Sequence, residues 1–109
     1  MSAHATKRKP LSRDDILQAI RANRETLVRM GANRIGLFGS FSRGESSEST
    51  DIDLLVEFAE GKKTFDNFTD LCFFLEELFG RNVDVLTPAS VSPHLKQQIE
   101  AEVRFEKLQ

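Results

Sequence analysis

Apolar positions set the elements of this chain. Ser12 followed by Asp15 resembles a helix N-cap with an acidic first turn, and Ile16, Leu17, Ile20, Leu27 and Val28 recur at helical spacing up to Gly31. A first helix over about 13–29 is predicted. Arg34-Ile35-Gly36-Leu37-Phe38 is a short apolar strand that runs into Gly39-Ser40, where small residues announce a tight turn. A Gly, Glu and Ser rich stretch over 43–50 follows, and Asp51-Ile52-Asp53-Leu54-Leu55-Val56-Glu57-Phe58 alternates and then turns continuously apolar, as a well-buried strand does.

Beyond the Gly61-Lys62-Lys63 turn, Thr64 caps a second helix over about 65–79, stopped by Gly80. On its wheel Phe65, Phe68, Leu71, Cys72, Phe74, Leu75, Leu78 and Phe79 occupy about half the circumference, at 100° per residue. Phe73 falls on the opposite side, among Asp66, Asp70, Glu76 and Glu77, where an exposed ring suggests a partner contact. Asn82 to Leu86 is a third strand, interrupted by Thr87-Pro88, and Ser92 with Pro93 opens a last helix to about 102. Residues 103–109 fit either a fraying helix or a short strand. The order α-β-turn-β-α-β-α predicts an α/β protein, a small mixed sheet flanked by helices. Residues 1–11, polar and basic, are expected to form a flexible arm, with 12–109 a single domain.

Composition narrows the function classes. The 109 residues are 39% hydrophobic and 29% charged, ordinary for a folded globular chain, and no apolar run approaches the roughly 20 residues that cross a bilayer. With no apolar leader at the N-terminus either, no membrane association and a cytoplasmic location are expected. A single cysteine, Cys72, excludes an intrachain disulfide, and with only His4 and His94 beside it there is no structural zinc site. Cys72 is expected to be a buried small hydrophobe and His94 an exposed polar residue. Lys plus Arg number 15 against 17 Asp plus Glu, so nothing in the net charge of -2 draws the chain to nucleic acid, and direct nucleic-acid binding is not expected.

The chemistry concentrates in Gly39-Ser40-Phe41-Ser42-Arg43-Gly44-Glu45 and in Asp51-Ile52-Asp53. A Gly-Ser turn at a strand end admits a close ligand, and free N–H groups with a hydroxyl suit phosphate oxygens; the same turn also serves as a plain connection. Asp51 and Asp53, two apart on a strand, share a face and are placed to share a hard cation, the alternative being a solvated strand end. Asp84, between Val83 and Val85, repeats the pattern on the next strand, where an outward edge position is the plainer reading. Three carboxylates beside a phosphate-binding turn favour Mg²⁺ and a nucleotide.

Gly39-Ser40, ten intervening residues, Asp51-Ile52-Asp53 and the later Asp84 together resemble the signature of the minimal nucleotidyltransferases of the DNA polymerase beta superfamily. Arg43-Gly44 and Leu54-Leu55-Val56 match as well, and Thr50 stands where the family usually has Ser. The resemblance runs from the first helix to about residue 102 and implies the polymerase-beta-like fold. It further implies a partner, a HEPN-domain toxin with ribonuclease activity, and an antitoxin role exerted by moving AMP from ATP to a tyrosine hydroxyl of that partner. Carried over, Gly39 and Ser40 hold the triphosphate, Asp51 and Asp53 bind two Mg²⁺ ions, and Asp84 completes the site of the ion that activates the attacking hydroxyl. Arg43 either pairs with phosphate or makes a structural bond to a loop carbonyl. Two alternatives remain: a catalytically weak antitoxin that neutralises by binding, and a transferase for a small-molecule or RNA hydroxyl. At this length there is no room for the primer-holding domains of the large polymerases. The Arg-x₄₋₆-His pattern of the toxin is absent, and the chain has no Tyr, so tyrosine-directed transfer must occur in trans. Homo- or hetero-oligomeric assembly is left open.

Overall fold

The computed structural model describes residues 11–108. The expected arm therefore lies outside the described residues except for Leu11, which packs against the main core. Helix α1 (Arg13–Ala22) starts with a full capping box: the Ser12 hydroxyl accepts from the Asp15 N–H while the Asp15 carboxylate accepts from the Ser12 N–H. The single helix expected over 13–29 is interrupted at Asn23 and resumes as α2 (Arg24–Arg29). The cause is local. Asn23 caps α1 by turning back on it: its Nδ2 donates to the Ala19 carbonyl at 2.8 Å, beside the backbone bond from its own N–H at 3.1 Å, and its backbone leaves the helical conformation.

Strand β1 (Ala32–Phe38) leads into α3 (Ser40–Arg43), a single turn, and a loop carries the chain to β2 (Ile52–Phe58). Helix α4 (Phe65–Phe79), capped by Thr64 and ended by Gly80, precedes β3 (Val83–Leu86), a short 3₁₀ turn at Pro88–Ser90, α5 (Pro93–Glu102) and β4 (Arg104–Lys107). The segment that the sequence left open is thus a strand. The sheet order is β3-β2-β1-β4, with β1 antiparallel to β2 and β4, and β3 parallel to β2.

Both sheet faces are covered, unequally. Ile35, Leu37, Ile52, Leu54, Val56 and Val83 point into the larger core, where Ile16, Ile20, Leu27, Leu71 and Leu75 of the first, second and fourth helices meet them. Each such fully buried aliphatic side chain contributes about 1.5–3 kcal/mol. On the other face α5 brings Ile99 down on Phe38 and Leu55 in a smaller cluster. Gly36 makes that approach close: a Cβ there would sit 2.5 Å from Val103 Cγ2 and 2.8 Å from the Phe105 ring.

The wheel of α4 holds from Phe68 onward. Phe68 stacks obliquely on Phe58 at 6.4 Å, and Leu71 and Leu75 are fully buried. Phe73 is 66% exposed, on the outer face where the pattern puts it. Phe65, expected on the apolar side, is 82% exposed, because it opens the helix ahead of the turns that reach the sheet. Cys72 is only part-buried, with its thiol pushed up by desolvation and by nearby Glu76. His94 is exposed. Among the described residues no helix is long and apolar enough to cross a membrane.

Candidate active site

The Gly39 turn ends β1, and the antiparallel register sets Phe38 opposite Asp53. Gly39 adopts φ +77°, which an L side chain rarely occupies, and an added Cβ would collide with Asp53 Oδ2. The glycine thus serves two ends at once: it turns the chain and it lets the carboxylate lie against the backbone.

Parallel pairing of β2 with β3 aligns Asp53 with Asp84. Strand alternation puts both on the face that carries Leu55, away from the larger core. Asp51 and Asp84 are exposed and Asp53 is half-buried. The Asp53 carboxyl is raised from an ordinary 3.8 to about 6, first by desolvation, then by the charge of Asp84 and a hydrogen bond to it, then by Asp51; Arg43 pulls weakly the other way. A carboxylate held up in this way has negative neighbours and too little positive charge. That deficit and the all-oxygen donor set fit a hard divalent cation. Among the described residues, however, no three His, Cys, Asp or Glu side chains already close around one point, so the aspartates gather on one face without forming a finished cage.

Arg43, at the end of α3, bonds side chains rather than a loop carbonyl among the described residues. Its Nε donates to Glu45 at 2.9 Å and its Nη1 to both oxygens of Glu102 at 3.0 and 3.1 Å, which raises its pKa further, Glu45 acting most. Its Nη2 reaches Ser40 Oγ at 3.5 Å, so both side chains named for phosphate binding stand together. Glu102, unmarked in the sequence reading, also accepts from the Gly39 N–H at 2.6 Å. No sequence signal points to it, since it lies 63 residues away at the end of α5. Arg81 was missed as well: its Nη1 donates to the Thr50 carbonyl at 3.0 Å and so fastens the loop just before Asp51.

Further along the same face of β2, Leu55 and Glu57 line a cavity of about 270 Å³ with Arg34, Ile99, Val103 and Phe105. None of Gly39, Ser40, Arg43, Asp51, Asp53 or Asp84 lines it. The acidic cluster lies apart from that cavity, with Asp51 and Asp84 exposed.

Residues 17–105 match the family described as nucleotidyltransferase domain. The protein adenylyltransferase MntA of Thermococcus cleftensis is 34% identical over 96 residues, 87% of this chain and 96% of that protein. A solved structure described provisionally as a minimal nucleotidyltransferase superposes with a TM-score of 0.67 at 34% identity, covering 94% of this chain and 98% of that one. A toxin-antitoxin crystal structure with AMP-PNP superposes with a TM-score of 0.61 at 26% identity, over 91% of this chain and 73% of that one. The chain belongs to the nucleotidyltransferase domain family. It is an enzyme of the nucleotidyltransferase class, with the small mixed sheet and flanking helices of that fold.

Proposed function

We propose that this protein transfers AMP from ATP to a hydroxyl group of a partner protein, a tyrosine of a HEPN-domain toxin, and thereby acts as its antitoxin. The observation that carries this reading is the alignment of Asp53 with Asp84 across β2 and β3, beside the Gly39 turn, with Asp53 starved of positive charge. The likeness to the MntA adenylyltransferase and to a toxin-antitoxin structure with AMP-PNP supports nucleotide and partner alike.

Asp51, Asp53 and Asp84 are the residues that would hold Mg²⁺, two ions in all by the family resemblance. When bound, the metal supplies positive charge for the triphosphate and for the developing alkoxide. Ser40 and Arg43 grip the phosphates, and the turn at Gly39 keeps the backbone low enough for them to approach. Asp84, the more exposed of the aligned pair, would accept the proton of the attacking hydroxyl. The acceptor oxygen forms a bond to the α-phosphorus, the bond from that phosphorus to the bridging oxygen breaks, and pyrophosphate leaves with the electron pair. The 109 residues contain no Tyr, so a tyrosine acceptor lies outside them.

The test is incubation with labelled ATP, Mg²⁺ and the product of the adjacent reading frame, followed by intact mass measurement. A mass gain of one or more AMP groups on the partner supports transfer. Neutralisation of the partner with no mass gain would replace it with inhibition by binding, and label on a small molecule or RNA alone would overturn the choice of acceptor.

A further inference from the structure

Glu102 bonds Gly39, Ser42 and Arg43 of the nucleotide turn without belonging to any predicted motif. Its carboxylate accepts from the Gly39 N–H at 2.6 Å and from Arg43 Nη1 at 3.0 and 3.1 Å. Its backbone carbonyl accepts from Ser42 Oγ at 2.5 Å, and the Ser42 carbonyl accepts from Arg13 Nη1 at 2.8 Å. One residue at the end of α5 thus ties both ends of the turn, Gly39 at the close of β1 and Ser42 with Arg43 in α3, and Arg13 of α1 holds Ser42 as well. Its side chain is 15% exposed, whereas Glu45, the second carboxylate on Arg43, is 63% exposed.

From this geometry we infer that Glu102 is a positioning residue for nucleotide binding: it fixes the Gly39 turn and holds Arg43 in place to meet a triphosphate. The inference rests on the ATP reading above. Two physical points favour a permanent clamp over a resident anion that phosphate would expel. Gly39 is buried, and withdrawing Glu102 would orphan its N–H, which is costly. The backbone of Glu102 is itself held by Ser42 and continues straight into β4, so the carboxylate has little freedom to swing out. Glu45 is the partner that a phosphate can displace, since it is solvated and held by one bond. An arginine pre-oriented by one carboxylate loses less freedom on binding an anion than one free in water.

The experiment compares wild type with Glu102→Ala and Glu102→Gln for MgATP affinity by titration calorimetry, well below each melting temperature. Alanine should weaken MgATP binding about tenfold or more, the usual cost of removing a supporting outer contact. Glutamine should lose less, because its amide oxygen still accepts from Gly39 while the charge facing Arg43 is gone. In an Arg43→Ala background the alanine effect should shrink, since the guanidinium it places is absent. Wild-type affinity in both Glu102 variants would overturn the inference, and tighter binding would overturn it in favour of a resident anion. A wild-type protein that binds no MgATP would overturn the ATP reading itself, and this inference with it.

Discussion

The half-buried Asp53 makes a prediction in which stability and function oppose each other. Its carboxyl sits near 6 in the fold against an ordinary 3.8, so between those values the folded chain keeps a proton that the unfolded chain has released. Folding then takes up protons, and stability from this group falls as pH rises through that window; above about 6 the full penalty applies. A shift of about 2 pH units, discounted by about half because Asp53 is half-exposed and its neighbours are screened by water, amounts to about 1–2 kcal/mol. Asp53→Asn removes the charge at nearly constant shape. In metal-free buffer at pH 7 it should therefore stabilise the fold by about 1–2 kcal/mol, with the advantage fading toward zero near pH 4. Urea unfolding of both proteins at half-unit pH steps reads this directly. Added Mg²⁺ should narrow the gap at pH 7 by stabilising the wild type alone. The reasoning fails if the variant is no more stable at neutral pH, or if its advantage is the same at pH 4 and pH 7.

Three further outcomes follow from the same geometry. Gly39→Ala forces a positive φ on a side chain that meets Asp53, and should cost about 1–3 kcal/mol in denaturant unfolding and remove most nucleotide transfer. Asp84→Asn, at an exposed position, should change stability little but lower transfer roughly 10²-fold or more at saturating Mg²⁺, with partner binding kept; wild-type rates would remove Asp84 from the chemistry. Phe73→Ala, at a 66% exposed ring, should alter stability by within about 0.5 kcal/mol yet weaken partner affinity by roughly 2 kcal/mol or more in a binding titration. A sharp fall in its melting temperature with unchanged affinity would put Phe73 in a structural role instead.

Much of this molecule is readable locally, because the signals involved act within a few residues. Ser12, Thr64 and Ser92 each accept from a backbone N–H of the first helical turn, and Gly80 takes the left-handed conformation that closes α4. Apolar periodicity assigns three strands and the buried face of α4, and the spacing from Gly39-Ser40 to Asp51 and Asp53 works because β1 and β2 are adjacent and antiparallel. The chain alone therefore names the turn, the aspartates and the arginine.

Their relations needed the tertiary fold. That Asp53 and Asp84 stand side by side depends on a parallel register between strands joined through α4, and a slip of one residue would have sent Asp84 to the opposite face. The first helix closes at Asn23, whose side chain turns back onto the Ala19 carbonyl as a cap, an option that periodicity does not register. Residues 104–107 are a strand because Gly36 leaves room for Val103 and Phe105, and four residues carry too little pattern to reveal that by themselves. Glu102 is the clearest case: nothing near it in sequence marks it, since its partners Gly39 and Arg43 lie 63 and 59 residues away and long-range packing alone brings them to it.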